Sequence, residues 1–357
     1  MNPRTPVDSA DPVAPLRPPR RSPVKTAPAP PVERLDPGTV LAPTRFLREL
    51  PGQASAGAAL CDGRRTLAEV ARDAGLAPDL VRELLSQLYA EGLVHETGEG
   101  PVPAVLFFEH VRTLCLRWRR AKLSLRPGVE PLFSAGTYSK RLALGYLLEV
   151  THIVRGAASH IAAAIAHASD ERLQLMLSEY LEDEYWHGSW MDQALRGGGL
   201  SEEDLVRALP LPATLAVLNS WRNAGQTDLL LYGGLIGITE SGPGEEGQTE
   251  ALFRATLGQG VLPEAAWRPY FEHAIGDETA DHLSHGRAIF AAAPPLPRSR
   301  RDALRRQLLL HTEALVLQEH AVLDFYGADE GPLVHDLEWR VSRDGPRPEG
   351  PSPTEAR

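Results

Sequence analysis

The sequence predicts a mainly α protein, a seven-helix bundle preceded by a small winged-helix unit, and three observations carry that prediction. Between residues 104 and 327 apolar side chains recur at steps of three and four, in stretches divided by Gly- and Pro-rich turns. Alternation of period two, the mark of a half-buried strand, is missing from that region. Ahead of it, residues 44–97 read as helix, turn, helix, Gly and short strand.

Each element has its own warrant. Residues 1–43 hold twelve of the 31 prolines and few large apolar side chains, a composition that cannot offset the entropy of ordering, so a disordered leader is expected. In the small unit, Thr66-Leu67-Ala68-Glu69 is a capping box that opens a helix stopping near Gly75. Pro78 suits the first turn of a second helix, in which Leu80, Val81, Leu84, Leu85 and Leu88 repeat at helical spacing. Gly92 ends it and Leu93-Val94-His95 follows as a short strand. Residues 97–103 (TGEGPVP) are a linker by composition. Helices are then expected at 105–121, 138–168, 171–197, 212–240, 247–258, 262–292 and 299–326, as befits a bundle at 104–327. Residues 343–357 repeat the composition of the leader and are expected to form a disordered tail.

Composition removes several function classes. A net charge of −10 and a pI near 5.7 disfavour a binder of nucleic-acid phosphates. Two cysteines, Cys61 and Cys115, make neither a disulfide framework nor, alone, a structural zinc site. No apolar run is long enough to span a bilayer, and the N-terminus has no apolar signal core. A cytoplasmic protein without a membrane partner is the expectation.

A winged helix is most often a DNA reader, but the 44–97 unit carries six Arg and no Lys against eight acids, and its second helix sets Asp79, Glu83 and Glu91 against Arg82 alone. Such a helix would repel phosphates. The run Leu60-Cys61-Asp62-Gly63-Arg64-Arg65-Thr66-Leu67-Ala68-Glu69-Val70, followed by Leu84-Leu85-Ser86-Gln87-Leu88-Tyr89-Ala90-Glu91-Gly92-Leu93-Val94, resembles the pyrroloquinoline-quinone D-type domain, also called the RiPP recognition element. The resemblance implies binding of a leader peptide by strand addition beside a helical groove.

In the bundle, polar residues continue apolar stripes. Stepping along 171–197 gives Leu173, Leu177, Tyr180, Glu184, His187, Met191 and Leu195, so Glu184 and His187 face the core. A buried carboxylate and imidazole are costly unless paired or metal-bound, and Glu-x-x-His sets both on one face where they can ligate one ion. Glu149 and His152 repeat the device within the apolar helix 138–168, where Gly145 and Gly156 allow close backbone approach. Gly233 and Gly237 precede Glu240, and His273 and Asp277 share a face of helix 262–292. Each residue alone could be a satisfied core group; together, mixed carboxylate and imidazole donors suit iron or manganese.

The order of these groups, in the contexts E-x-T-H-I-V-R at 149–155, E-Y-W-H at 184–187, G-G-L-I-G-I-T-E at 233–240 and H-A-I-G-D at 273–277, resembles the heme-oxygenase-like diiron oxidases and oxygenases, described broadly as iron-containing redox enzymes. The resemblance implies a heme-oxygenase-like bundle in which Glu184, His187, Glu240, His273 and Asp277 hold two ferrous ions. It places Glu149 and His152 as an extra ligand or a hydrogen-bonded partner of one. Relatives often have a further His three residues after the Asp; position 280 is Ala, with Asp281 and His282 next, so His282 or His285 is a candidate substitute and a mononuclear site stays open.

The implied activity is dioxygen-dependent oxidation of a peptide or amino-acid-derived natural-product intermediate, recruited by the small unit, with room for an external electron donor and with a homodimer left open. Two alternatives stand beside it. One is a metal-free oxidase resembling the pyrroloquinoline-quinone C-type enzymes, and the other is a winged-helix adaptor with a helical docking domain and no catalysis.

Overall fold

The computed structural model describes residues 34–36, 39, 41–43, 63–240, 248–280, 282–328 and 331–335, with the backbone alone at 43, 248–249 and 277–280. The leader expected at 1–43 falls mostly outside the described residues, and the tail at 343–357 wholly so. The described residues fall within one compact unit.

The small elements follow the local signals closely. Strand β1 (Leu41–Pro43) precedes helix α1 (Leu67–Ala74), whose capping box is present on both sides: Thr66 Oγ1 accepts from the Glu69 amide, and the Glu69 carboxylate accepts from the Thr66 amide. The helix ends on Gly75 in the left-handed region, at φ +65°. Helix α2 (Pro78–Ala90) begins on its proline, and strand β2 (Val94–Glu96) pairs antiparallel with β1, Leu41 opposite Glu96. One expectation changes. Val81, Leu85, Leu88 and Tyr89 are buried, whereas Leu80 and Leu84 of the same apolar set are 57 % and 44 % exposed.

The bundle contains α3 (Ala104–Leu125), α4 (Glu130–Ala135), α5 (Lys140–His167), α6 (Glu171–Glu184), α7 (His187–Gly197), α8 (Glu202–Arg207), α9 (Pro212–Thr227), α10 (Leu229–Thr239), α11 (Gln248–Gly258), α12 (Glu264–Ala280), α13 (His282–Ala291) and α14 (Arg298–Tyr326). The architecture is mainly α, as the periodicity predicts. Helix α5 is central and packs on α6, α7, α9 and α14. Gly145 lets the Tyr326 ring of α14 lie directly on its backbone, and Gly156 faces Leu218 of α9. Helix α10 is buried from Leu231 through Ile238, which fits its apolar character on every side.

Two of the seven predicted helices are broken. The 171–197 stretch is interrupted at Tyr185 and Trp186, between α6 and α7. The 212–240 stretch breaks at Asp228, whose backbone is extended and whose carboxylate caps α10 by accepting from the amides of Leu230 and Leu231. The 262–292 stretch is described as α12 and α13, with residue 281 outside the described residues. Helices α10 and α13 then cross closely: a β-carbon added to Gly286 would lie 2.6 Å from the Gly233 carbonyl oxygen.

The small elements are fastened to the bundle by a buried ion pair. Arg301 of α14, fully buried, donates from Nε to Glu96 Oε1 at 2.8 Å, and Arg305 donates to the same oxygen at 2.6 Å. Arg301 also donates to the carbonyls of Gly100 and Leu296, and Val102 pairs with Leu296 across a short bridge. The 97–103 stretch is therefore held in place. Burial opposes ionisation of Glu96, but Arg305 with its charge and hydrogen bond outweighs it, and the carboxyl is held at about 2. On the other side of the seam, the Tyr89 ring of α2 stacks on His110 of α3 at 4.1 Å, and His110 Nδ1 lies 2.7 Å from the Tyr89 carbonyl oxygen.

Removing one partner of a buried pair leaves the other charge uncompensated. Arg301→Met is expected to lower the unfolding free energy by about 3 kcal/mol in urea titrations, with the Glu96→Gln/Arg301→Met double variant less affected than the single one. A single-variant loss within experimental error would show that Arg305 satisfies Glu96 by itself.

Candidate metal centre

The site forms where helices end. Glu184 is the last residue of α6 and His187 the first of α7, so both flank the Tyr185–Trp186 break. Glu240 is the C-terminal cap of α10, His273 lies within α12, and His282 belongs to α13. The packing of α7 on α12, of α6 on α13 and of α10 on α13 brings these ends together.

Glu184 is the hub. Its side chain is 8 % exposed, and its two oxygens face different imidazoles: Oε2 is 3.0 Å from His187 Nδ1 and Oε1 is 3.4 Å from His282 Nδ1. One oxygen or nitrogen from each of Glu184, His187 and His273 lies within 4.8 Å of the others, a grouping that could hold a metal ion. The His187 and His273 rings meet edge to face at 4.5 Å, and Trp190 stacks on His187 at 5.0 Å. On the other side, Glu240 Oε2 is 3.7 Å from His282 Nδ1, and the Tyr180 hydroxyl donates to Glu240 Oε1 at 3.4 Å. Tyr180 also packs against the rings of His282 and His285, at 4.8 and 5.0 Å.

Of the seven residues singled out in the sequence, the structure thus gathers Glu184, His187 and His273, with Glu240 beside them through His282. Asp277 lies one turn beyond His273 on α12, and its side chain is outside the described residues. Glu149 and His152 are not part of that grouping. The Glu149 carboxylate, fully buried, accepts from the Leu211 amide at 3.0 Å and from the Tyr326 hydroxyl at 2.9 Å, tying α5 to the start of α9 and the end of α14. Burial holds this carboxyl above the usual range, while those two hydrogen bonds oppose the shift. His152 is one turn on, and burial with help from Arg155 and His335 depresses its imidazole to about 4.

Sequence reasoning gave His282 and His285 only as substitutes and did not assign Tyr180 or Trp190 to the site. The apolar stripe of α6 passes through Tyr180, so that residue was readable as core, but its contact with Glu240 depends on the break after Thr239.

Residues 144–318 match the model of a family described as iron-containing redox enzyme. No curated protein matches the chain. Among solved structures, it is similar to a domain of unknown function with a heme-oxygenase-like fold from Shewanella denitrificans OS217, at 14 % identity and a TM-score of 0.48, covering 66 % of this chain and 94 % of that one. A TenA homolog from Pseudomonas syringae pv. tomato DC3000 aligns at 13 % identity and a TM-score of 0.49, covering 61 % and 93 %. A TenA family transcription regulator from Silicibacter sp. TM1040 aligns at 15 % identity and a TM-score of 0.45, covering 61 % and 96 %.

Other buried imidazoles set the acid limit of the fold. Burial holds His110 at about 4 and both His160 and His311 at about 3, so all three are neutral in the folded chain at pH 7. Their folded values lie below the unfolded value near 6.5. The unfolded chain therefore binds more protons in that window, and stability is full above pH 6.5 and falls as pH drops toward 3. Urea midpoints measured from pH 7.5 to 4.5 are expected to decline steadily below 6.5. A flat profile would mean that these rings are solvated.

Proposed function

We propose that this chain belongs to the iron-containing redox enzymes and acts as a non-heme, dioxygen-dependent oxidase or oxygenase. The observation that carries the reading is the convergence of Glu184, His187 and His273 within 4.8 Å, inside the segment that matches the family model. The donor set fits the metal: one carboxylate and two imidazoles, without thiolate, suit ferrous iron with positions left open. Iron bound there would supply the reductive activation of dioxygen.

The chain's own residues do the rest. His187 and His273 would hold the ion with Glu184, and Trp190 fixes the His187 ring by stacking. Two ions would be favoured over one because Glu184 presents separate oxygens to His187 and to His282, so it could serve both. Glu240, His282 and Asp277 would serve the second ion. Tyr180 holds Glu240 in place by its hydrogen bond.

The substrate is proposed to be a peptide or an amino-acid-derived intermediate delivered by the α1–α2 elements, with dioxygen as co-substrate and an external donor supplying electrons. Support for delivery comes from Leu80 and Leu84 of α2, which stand exposed beside Asp79 and Glu83, with Leu76 exposed in the turn before the helix. Among the described residues no helix is long and apolar enough to cross a membrane.

Anaerobic loading with ferrous iron, followed by metal analysis and oxygen-electrode traces, tests the reading. The parent chain is expected to hold near-stoichiometric iron and to consume dioxygen, and Glu184→Ala and His187→Ala to lose most of the iron. Glu149→Gln is expected to keep it, since both Glu149 oxygens are occupied by Leu211 and Tyr326. Full iron retention in Glu184→Ala would overturn the assignment.

A further inference from the structure

Behind the centre, four helices bring together a row of aromatic and imidazole side chains that the reading above does not use. Tyr232 of α10, His160 of α5, Trp221 of α9 and His311 of α14 are all buried. The Tyr232 hydroxyl is 2.9 Å from His160 Nδ1. The His160 ring stacks on Trp221 at 4.7 Å with 17° between planes, and Trp221 meets Tyr232 at 5.5 Å and His311 at 5.8 Å, both edge to face. Beyond it, His311 Nδ1 lies 2.5 Å from Ser220 Oγ, and the next residues along α9, Arg222 and Asn223, are exposed. The other end of the row feels the centre: the charges of Glu240 and Glu184 both act on the Tyr232 phenol.

We propose that Tyr232 is a redox-active tyrosine, with His160 as its proton acceptor and Trp221 as the next carrier toward the surface of α9. It deepens the oxidoreductase reading and rests on it for the oxidant, which would be the iron centre after oxidation by dioxygen. The step balances as follows. The phenol gives one electron to that oxidant and its hydroxyl proton to His160 Nδ1, leaving a neutral phenoxyl radical and an imidazolium. One electron arriving through Trp221 and the return of the same proton restore the pair.

The surroundings favour this coupling over simple ionisation. Burial, with Glu240 and Glu184 beside it, opposes the phenolate, so the proton can leave only as the electron does. Burial also disfavours the His160 imidazolium, with Arg222 and His311 adding to the effect, so the proton is held weakly and returns readily. No water is needed for either transfer, because donor and acceptor are already in hydrogen-bond contact.

Electron paramagnetic resonance on the full-length chain, grown with ring-deuterated tyrosine for assignment, tests the proposal in two arms. In the first, iron-free protein is oxidised by photogenerated ruthenium(III) tris(bipyridine) and frozen. In the second, ferrous-loaded protein is mixed with dioxygen and frozen. The expected result in both arms is a tyrosyl signal that is lost in Tyr232→Phe and fails to accumulate in His160→Gln, whose amide can hydrogen-bond but cannot take the proton. Tyr232→Phe removes one hydroxyl, and circular dichroism and urea unfolding confirm that the variant folds. A Tyr232 signal in the ruthenium arm with no iron bound in the other would keep the redox tyrosine and remove the iron reading. Spectra of Tyr232→Phe that superimpose on the parent's in both arms would overturn the proposal.

Discussion

A carboxylate buried among imidazoles is the constraint around which the bundle is arranged. Glu184 is nearly excluded from water, and an ionised carboxylate in that position is unfavourable by several kcal/mol unless each oxygen finds a partner. Its two oxygens reach His187 and His282, which lie on different helices, so α6, α7 and α13 cannot shift independently without exposing or orphaning a charge. Apolar packing alone would tolerate many small rearrangements of these helices, because it is non-directional. The polar hub selects one. A metal ion would strengthen the selection by taking the lone pairs that the imidazoles and carboxylate direct at each other.

The broken helices follow from the same demand. Along one straight helix, Glu-x-x-His places two groups a turn apart on one face but fixes both to a single axis. Ending α6 at Glu184 and restarting at His187 frees the second group to meet His273 of α12, while Glu184 remains turned toward α13. Glu240 sits likewise at a helix end. Its approach to His282 goes with the tight crossing of α10 on α13, where a β-carbon on Gly286 would strike the Gly233 carbonyl oxygen. Small residues and helix ends are where a bundle can bring polar groups inside without surrendering the packing of its middle.

These features explain what was legible in the sequence. The seven helical stretches, the Thr66 capping box, the Gly75 stop and the proline start of α2 are local, and apolar period and cap chemistry encode them directly. Asp228 was readable as well, since an Asp ahead of an apolar helix is a strong cap signal, but the continuous apolar pattern across it hid the break. The interruption at Tyr185–Trp186 left no trace, because Glu184 and His187 keep helical spacing on either side. Glu149 shows the opposite limit. Its spacing to His152 equals that of Glu184 to His187, yet Tyr326 and the Leu211 amide claim it, partners far along the chain that no local pattern reveals. Leu80 and Leu84 fit the periodicity of a buried face and stand exposed, since period alone fixes which residues share a face and not what covers it.

The seam between the small elements and the bundle bears on how a bound ligand could reach the centre. Tethering by a flexible linker raises effective concentration but leaves the distance free to fluctuate. Here Arg301 and Arg305 clamp Glu96 at the end of β2, the stretch after it is pinned by Gly100 and Val102, and Tyr89 stacks on His110. A ligand lying along α2 would therefore be presented at a fixed distance and angle from α3. Only part of that ligand could then reach the centre, namely the part lying at the right interval from the contact on α2. Under the proposed reading, such an arrangement would select the site of reaction by spacing along the ligand, with little discrimination required from the side chains at the centre.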